Sequence, residues 1–358
     1  MSKRRGHDDR SQGHGKRSRP ARKKHLYLVL DDWEKGYSIR QIDPDTMLTV
    51  PGSDDSACTD REDPMRLPEP AAFRNIVVVS SGAEGRRLRP WSTTRRRRRW
   101  PSPLPCRATA VAGGGALYAP TTLGAGLPVA FEAFSWALCT SDAEEPWLRR
   151  HEWSWKSVAA PPPPPFAQGR AVVSHAAHPD GRTIFVSTRD AADCDTYSFD
   201  AERGDWTWRG AWALPFRGQG HFDRELGAWF GLDEEPGYVR ACQVPSRSTD
   251  AAAPPESDRT EEKLFPGAGG ESTAGSGATL AYMGDSKFCL VDSVPCEDED
   301  ADGREGRMVR VTMFGLKFDR RGKLRTTSHR TTSSYVASRY VPSFSPVAFW
   351  MQELLAVW

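Results

Sequence analysis

Three groups of residues have the types that could do chemistry. His175 and His178 stand three apart with His221 further on, and imidazoles joined by a carboxylate can hold a transition metal. His178, however, opens the turn His178-Pro179-Asp180-Gly181, so no helix sets the spacing of the pair, and the ligand set is incomplete. Asp298, Asp300, Asp302 and Gly303 imitate the first half of a calcium loop. Its twelfth position is Val309, where a bidentate Glu is required, so a solvated acidic hairpin loop is the better reading. Gly113-Gly114-Gly115 lacks the following Gly-Lys-Ser/Thr of a phosphate loop and leads into a strand. No Gly-x-Ser-x-Gly nucleophile elbow is present. The expectation is no catalytic residue, no cofactor and no metal, with the histidines in turns or loops.

Cysteine chemistry is equally sparse. Cys58, Cys106, Cys139, Cys194, Cys242, Cys289 and Cys296 are odd in number, scattered, and form no C-x-x-C pair. Reduced thiols in a cytosolic or nuclear protein fit that pattern.

Charge is informative through its placement. The net charge of 358 residues is only +2, yet residues 1–23 form a basic tail too polar to bury a core, expected to be disordered. Lys16, Arg17, Arg22, Lys23 and Lys24 make the second of two basic clusters and read as a nuclear import signal. The alternative is a solubilising arm, and nucleic-acid binding is not expected. Residues 86–107 do not match their surroundings, with Arg95 to Arg99 between Trp91 and Trp100. Arg neutralises phosphate and Trp stacks on bases, so a nucleic-acid site is one reading. A solvated arginine loop is the second. The third, preferred, is a local frame error, because the same stretch read one base over can encode a Val-Val-Asp-Tyr strand.

The elements that must position these groups are strands. Thr183 to Thr188 is β-branched or aromatic at most positions, as in a strand covered on both faces. Thr196 to Phe199 alternates with period two, and Asp200 to Gly204 is a turn in which Gly204 is free to take positive φ. Trp206, Trp208 and Trp212 follow, and a new pair opens at Gly227. Leu26 to Leu30, Ile76 to Ser80, Gly115 to Tyr118 and Leu280 to Gly284 repeat the opening strand, and a hydrophobe-Asp-turn pattern recurs at Asp43, Asp200 and Asp319. Repeats of about 50 residues with that order are blades of a β-propeller. The expected fold is all-β, one propeller over residues 24–358 with six blades, or seven as the alternative. Mobile insertions are expected at 50–72, 86–107 and 246–276. Pro161 to Pro165 reads as a rigid connector, and Ser343 to Trp358 as a segment that packs on the ring and closes it. Phe185, Phe199, Trp206, Trp212 and Trp229 are expected between blades.

A resemblance supports the same picture. The segments HLYLVLDDWEKGYSIRQID (25–43), FEAF (131–134), PPPPPF (161–166), HPDGRTIFVST (178–188), WALPFRGQGHFDRELGAWFGL (212–232), GATLAYMGDSKFCLV (277–291) and PVAFWM (346–351) are similar to those of a large plant family. That family is expanded in grasses and known only as a domain of unknown function. The resemblance implies a propeller-like, kelch-related fold and supplies no activity or site residue.

The function these readings imply is a non-enzymatic interaction module whose loops hold a protein partner, as a monomer in nucleus or cytoplasm. The alternative is a carbohydrate-active or metal-dependent propeller enzyme. No run approaches the roughly 18 apolar residues of a membrane span, and Met1 to Lys24 has no apolar signal core.

Overall fold

The computed structural model describes residues 24–32, 36–43, 59–60, 65–66, 111–113, 116–122, 129–138, 151–158, 170–191, 193–247, 253–264, 278–299, 305–337 and 347–352. The basic tail, the arginine run and the polyproline segment lie outside them. Every regular element among the described residues is a β-strand, and none is a helix long and apolar enough to cross a membrane.

The chain enters through β1 (Lys24–Asp32) and β2 (Gly36–Ile42), an antiparallel pair with Leu26 opposite Ile42. Two short strands follow, β3 (Thr59–Asp60) and β4 (Met65–Arg66). Four successive antiparallel meanders make up most of the rest. The first is β5 (Val111–Gly113), β6 (Ala116–Thr122), β7 (Val129–Leu138) and β8 (His151–Ser157). The second is β9 (Ala171–Ala177), β10 (Thr183–Arg189), β11 (Cys194–Asp200) and β12 (Asp205–Gly210). The third is β13 (Arg217–Asp223), β14 (Ala228–Leu232), β15 (Val239–Gln243) and β16 (Ser257–Arg259). The fourth is β17 (Thr279–Gly284), β18 (Lys287–Glu299), β19 (Glu305–Phe318) and β20 (Leu324–Ala337). Last comes β21 (Val347–Gln352), which pairs antiparallel with β1 and brings both ends of the described chain into one sheet.

The opening strands of these sheets succeed one another in space. β5 lies against β9, and β9 pairs in parallel with β13 through Gly218–Ser174, Gln219–His175 and Gly220–Ala176. β13 then approaches β17, and β17 approaches β21. Four-stranded meanders set side by side through their first strands are the radial arrangement of a propeller, and the fold is all-β and propeller-like.

Between neighbouring sheets the core is apolar. Tyr118 and Phe131 of the first meander meet Ile184, Val186 and Phe199 of the second. Phe185 and Trp212 meet Phe216 and Trp229 across the next gap, and Phe230 and Val239 meet Phe288 and Phe314 across the one after. Leu26 and Leu28 of β1 close on Cys289, Val291 and Val309. The aromatic residues expected between blades lie there, Trp206 against Phe131 and Phe199 at ring distances of 5.2 and 5.0 Å. Phe216 needs two glycines: a Cβ at Gly220 or Gly231 would fall 2.3 or 2.5 Å from its ring.

Two expected insertions are partly built into the sheets. Within 246–276, Ser257–Arg259 forms β16 against β15, while Thr260 and Leu264 are buried. Within 50–72, β3 and β4 extend the edge of β20 in parallel. The Ser/Gly/Pro composition hid both, because a short edge strand needs backbone partners more than apolar side chains.

Candidate functional site

The two inner histidines are the residues of chemical type that the fold brings together. His175 lies on β9 and His221 on β13, one residue beyond Gly220 in the parallel ladder. This corrects the expectation that the histidines sit in turns or loops: both are in strands, and His175 is buried. Burial, and then the neighbouring His221, push the His175 imidazole down to about 3. Burial also lowers His221, against the pull of the Leu280 carbonyl. The 2.8 Å contact from His221 Nε2 to that carbonyl requires the nitrogen to carry the proton and donate. The pair is therefore neutral, and one nitrogen of His221 is committed to tying β13 to β17.

His178 does not join them. It stands in the β9–β10 turn, its Nδ1 accepting the Asp180 amide at 3.2 Å and its ring beside Phe185 and Trp229 at 6.1 and 6.5 Å. Burial lowers its basicity, with Asp180 opposing. Val309, the twelfth position of the apparent calcium loop, is a core residue of β19 paired with Ser293 and fully buried. Of the acidic run, Asp298 lies in β18, where Glu299 stands opposite Glu305 of β19; Asp300, Asp302 and Gly303 lie outside the described residues. Gly113 lies in β5 opposite Ala116. Of the basic cluster, Lys24 is the exposed first residue of β1, opposite Gln352; Lys16, Arg17, Arg22 and Lys23 lie outside the described residues. Cys194, Cys242 and Cys289 are free thiols, and burial raises Cys242 to about 12 and Cys289 further.

The carboxylates have a common task that the sequence shows only in part. Asp200 Oδ1 accepts the Glu202 amide at 2.9 Å, and Asp319 Oδ1 accepts those of Arg321 and Lys323 at 2.8 and 2.9 Å, as the hydrophobe-Asp-turn pattern requires. Asp180, Asp223 and Asp233 do the same in other turns, accepting from Thr183, Leu226 and Glu235 at 2.8 to 2.9 Å. The signal for these was an aspartate at or just past a strand end, diluted by unequal loop lengths, since β10, β14 and β15 restart at Thr183, Ala228 and Val239. Burial works against the Asp180 carboxylate, but the Arg182 and Thr183 amides hold it well below the usual range. Arg247 pairs with it at 2.9 Å.

Asp223 does more than pin its own turn. It is fully buried and takes the Ser286 amide at 3.0 Å and hydroxyl at 3.2 Å, clamping the β17–β18 turn. That turn holds Asp285 and Ser286 at φ of 51° and 54°, as a two-residue primed hairpin needs. Tyr282 is pushed up to about 12 by burial and by its bond to Asp223. Asp292 and Arg310 form a two-bonded cross-strand pair at 3.1 and 2.7 Å. Among the described residues no three His, Cys, Asp or Glu side chains group as metal ligands do.

An all-β, propeller-like protein with neutral inner histidines and aspartate-pinned turns is the class this geometry defines. The chain belongs to the family described as protein of unknown function (DUF1668), whose sequence profile matches residues 23–335. No curated protein matches the chain in sequence. Among solved structures, TolB from Acinetobacter baumannii matches at 9% identity and a TM-score of 0.30, covering 91% of this chain and 66% of that one, just under two thirds of its length. The periplasmic gluconolactonase PpgL of Pseudomonas aeruginosa matches at 13% identity and a TM-score of 0.27, covering 85% and 82%. The propeller-like description rests on the strand pairing and not on these two.

Proposed function

We propose that this chain is a non-enzymatic six-bladed β-propeller that holds a protein partner on its turns. The observation that carries the reading is the use of the carboxylates. Asp180, Asp200, Asp223, Asp233 and Asp319 each accept amides of their own turn, so they stiffen loops and are not free to act on a substrate. Rigid turns bind without the ordering cost that flexible loops incur. The side chains that remain outside, among them Arg182, Glu202, Glu234 and Arg189, are exposed charges of both signs, as on the rim of a protein interface. For the blade number, five inner strands are described (β5, β9, β13, β17 and β21), and Ile76–Ser80, outside the described residues, is the candidate for the sixth.

Among the described residues the enzyme alternative would draw on His175 and His221, whose basicity burial lowers, and His221 is occupied by its bond to Leu280 of β17. The test is capture from nuclear and cytosolic extracts, with cross-links mapped by mass spectrometry. A stoichiometric partner cross-linked to turn residues is the expected result. Turnover of a sugar or lactone, or stoichiometric metal in protein purified without chelator, would replace the module with the enzyme.

The basic arm is read as its address. Alanine at Lys16, Arg17, Arg22, Lys23 and Lys24 in a fluorescent fusion should lower the nuclear-to-cytoplasmic ratio; an unchanged ratio refutes the signal.

A further inference from the structure

The hairpin joining β19 to β20 concentrates cations: Lys317, Arg320, Arg321, Lys323 and Arg325. Two of them are committed, Lys323 to Asp258 at 3.5 Å and Arg325 to Asp319 at 3.4 Å and to Glu261. Lys317, Arg320 and Arg321 are exposed, and none of their side chains has an ion-pair partner among the described residues. Lys287 is in the same condition. It lies opposite Gly315, two residues from Lys317 along β19, so both lysines project from one face of the sheet about 7 Å apart.

The turn that carries the arginines is rigid. Asp319 takes the Arg321 and Lys323 amides, Gly322 donates to the Asp319 carbonyl at 2.9 Å, and Gly322 holds a φ of 77°. The Lys323 amide first, and then the Arg321 amide against a burial penalty, keeps Asp319 below the usual carboxylate range. Asp319 thus spends its charge inside the turn and on Arg325, leaving Arg320 and Arg321 uncompensated. Phe318, 37% exposed, gives the row an apolar contact between Lys317 and the arginines.

We propose that this row is a docking site for a short Asp/Glu-rich peptide segment of a partner protein. The proposal rests on the interaction-module reading and narrows it to one partner chemistry. Carboxylates select it over a polyphosphate. Asp258, Glu261 and Glu262 border the hairpin, bonded to Leu324, Arg325 and Thr326, and would repel a nucleic-acid backbone or lipid surface lying across the whole end of the sheet. A single extended acidic strand can follow the cations without crossing that border. Arg gives such a strand bidentate partners, and Lys gives it point charges.

The experiment is fluorescence anisotropy with the full chain and a labelled peptide of alternating Glu and Ser, with a Gln/Ser peptide, single-stranded DNA and phosphatidylserine vesicles as competitors. The Glu peptide should bind more tightly as salt falls. The Lys317→Glu/Arg320→Glu/Arg321→Glu variant should lose at least about tenfold in affinity while melting as the parent does. If that variant unfolds, Lys317→Gln/Arg320→Gln/Arg321→Gln reads the same loss. Equal binding of the Gln peptide, equal binding by a folded variant, or tighter binding of DNA or vesicles overturns the proposal. A protein that fails these tests yet captures a stoichiometric partner through other turns loses only the acidic-peptide site. Turnover of a substrate would remove the module reading itself.

Discussion

Trp206 and Trp208 share one strand, β12, and one face of it, but they differ in what a substitution should do. Trp206 packs on Phe131 of the neighbouring sheet, whereas Trp208 is 55% exposed and only donates to Asp195 at 2.9 Å. Trp206→Ala should cost about 3 kcal/mol in urea unfolding, as a cavity between sheets. Trp208→Ala should stay within about 0.5 kcal/mol. Similar losses for the two would mean that the blade interface is misplaced. Gly231→Ala is the opposite kind of change. Its new methyl would meet Phe216 at 2.5 Å, and overpacking of that sort costs about 1–3 kcal/mol. A neutral result would show that the Phe216 ring can move aside.

The inner histidines make stability depend on pH in a definite direction. Above about pH 6.5 His175 is neutral in both states. As the pH falls below that, the unfolded chain binds a proton that the buried native imidazole refuses until about 3. Stability should therefore fall through this window, by up to about 1.4 kcal/mol per pH unit for one such group, and level off below it. His221 acts in the same sense. Asp180, lowered in the native state, adds a further loss below its ordinary value of 3.8. A His175→Asn variant should flatten the urea midpoint between about pH 6.5 and 4 relative to the parent. A parent midpoint already flat there would mean that His175 is solvated.

At the scale of elements, legibility followed side-chain pattern. Thr183–Thr188 reads as a covered strand, and β10 is buried at six of its seven positions. Gly204 reads as a positive-φ turn and takes a φ of 74°. What could not be read was pairing between distant segments. Nothing in Arg217–Asp223 announces a parallel ladder with β9, and the acceptor bond from Leu280 to His221 joins residues far apart in the chain. The inner histidines were legible as residues and not as neighbours for the same reason. The β1–β21 sheet was half legible, because Ala348-Phe349-Trp350 is apolar but its partner lies at the opposite end of the sequence. A chain ending at residue 346 should lose that partner, uncover Leu26 and Leu28, and unfold at lower temperature with poorer cooperativity. If its melting curve matches that of the full chain, β21 contributes nothing to the ring.

For the whole molecule, the consequence of having both described ends in one sheet is mechanical. β1 and β21 run antiparallel with Lys24 opposite Gln352, so the two strands leave the molecule at the same end of their ladder. A force applied to the two ends does not load all six registered pairs at once; it opens the ladder from Lys24–Gln352 toward Val29–Val347, one rung at a time. Peeling needs much less force than shearing. Tension on the chain would therefore release β21 first and leave the aspartate-pinned meanders, each sewn by its own turns, intact behind it.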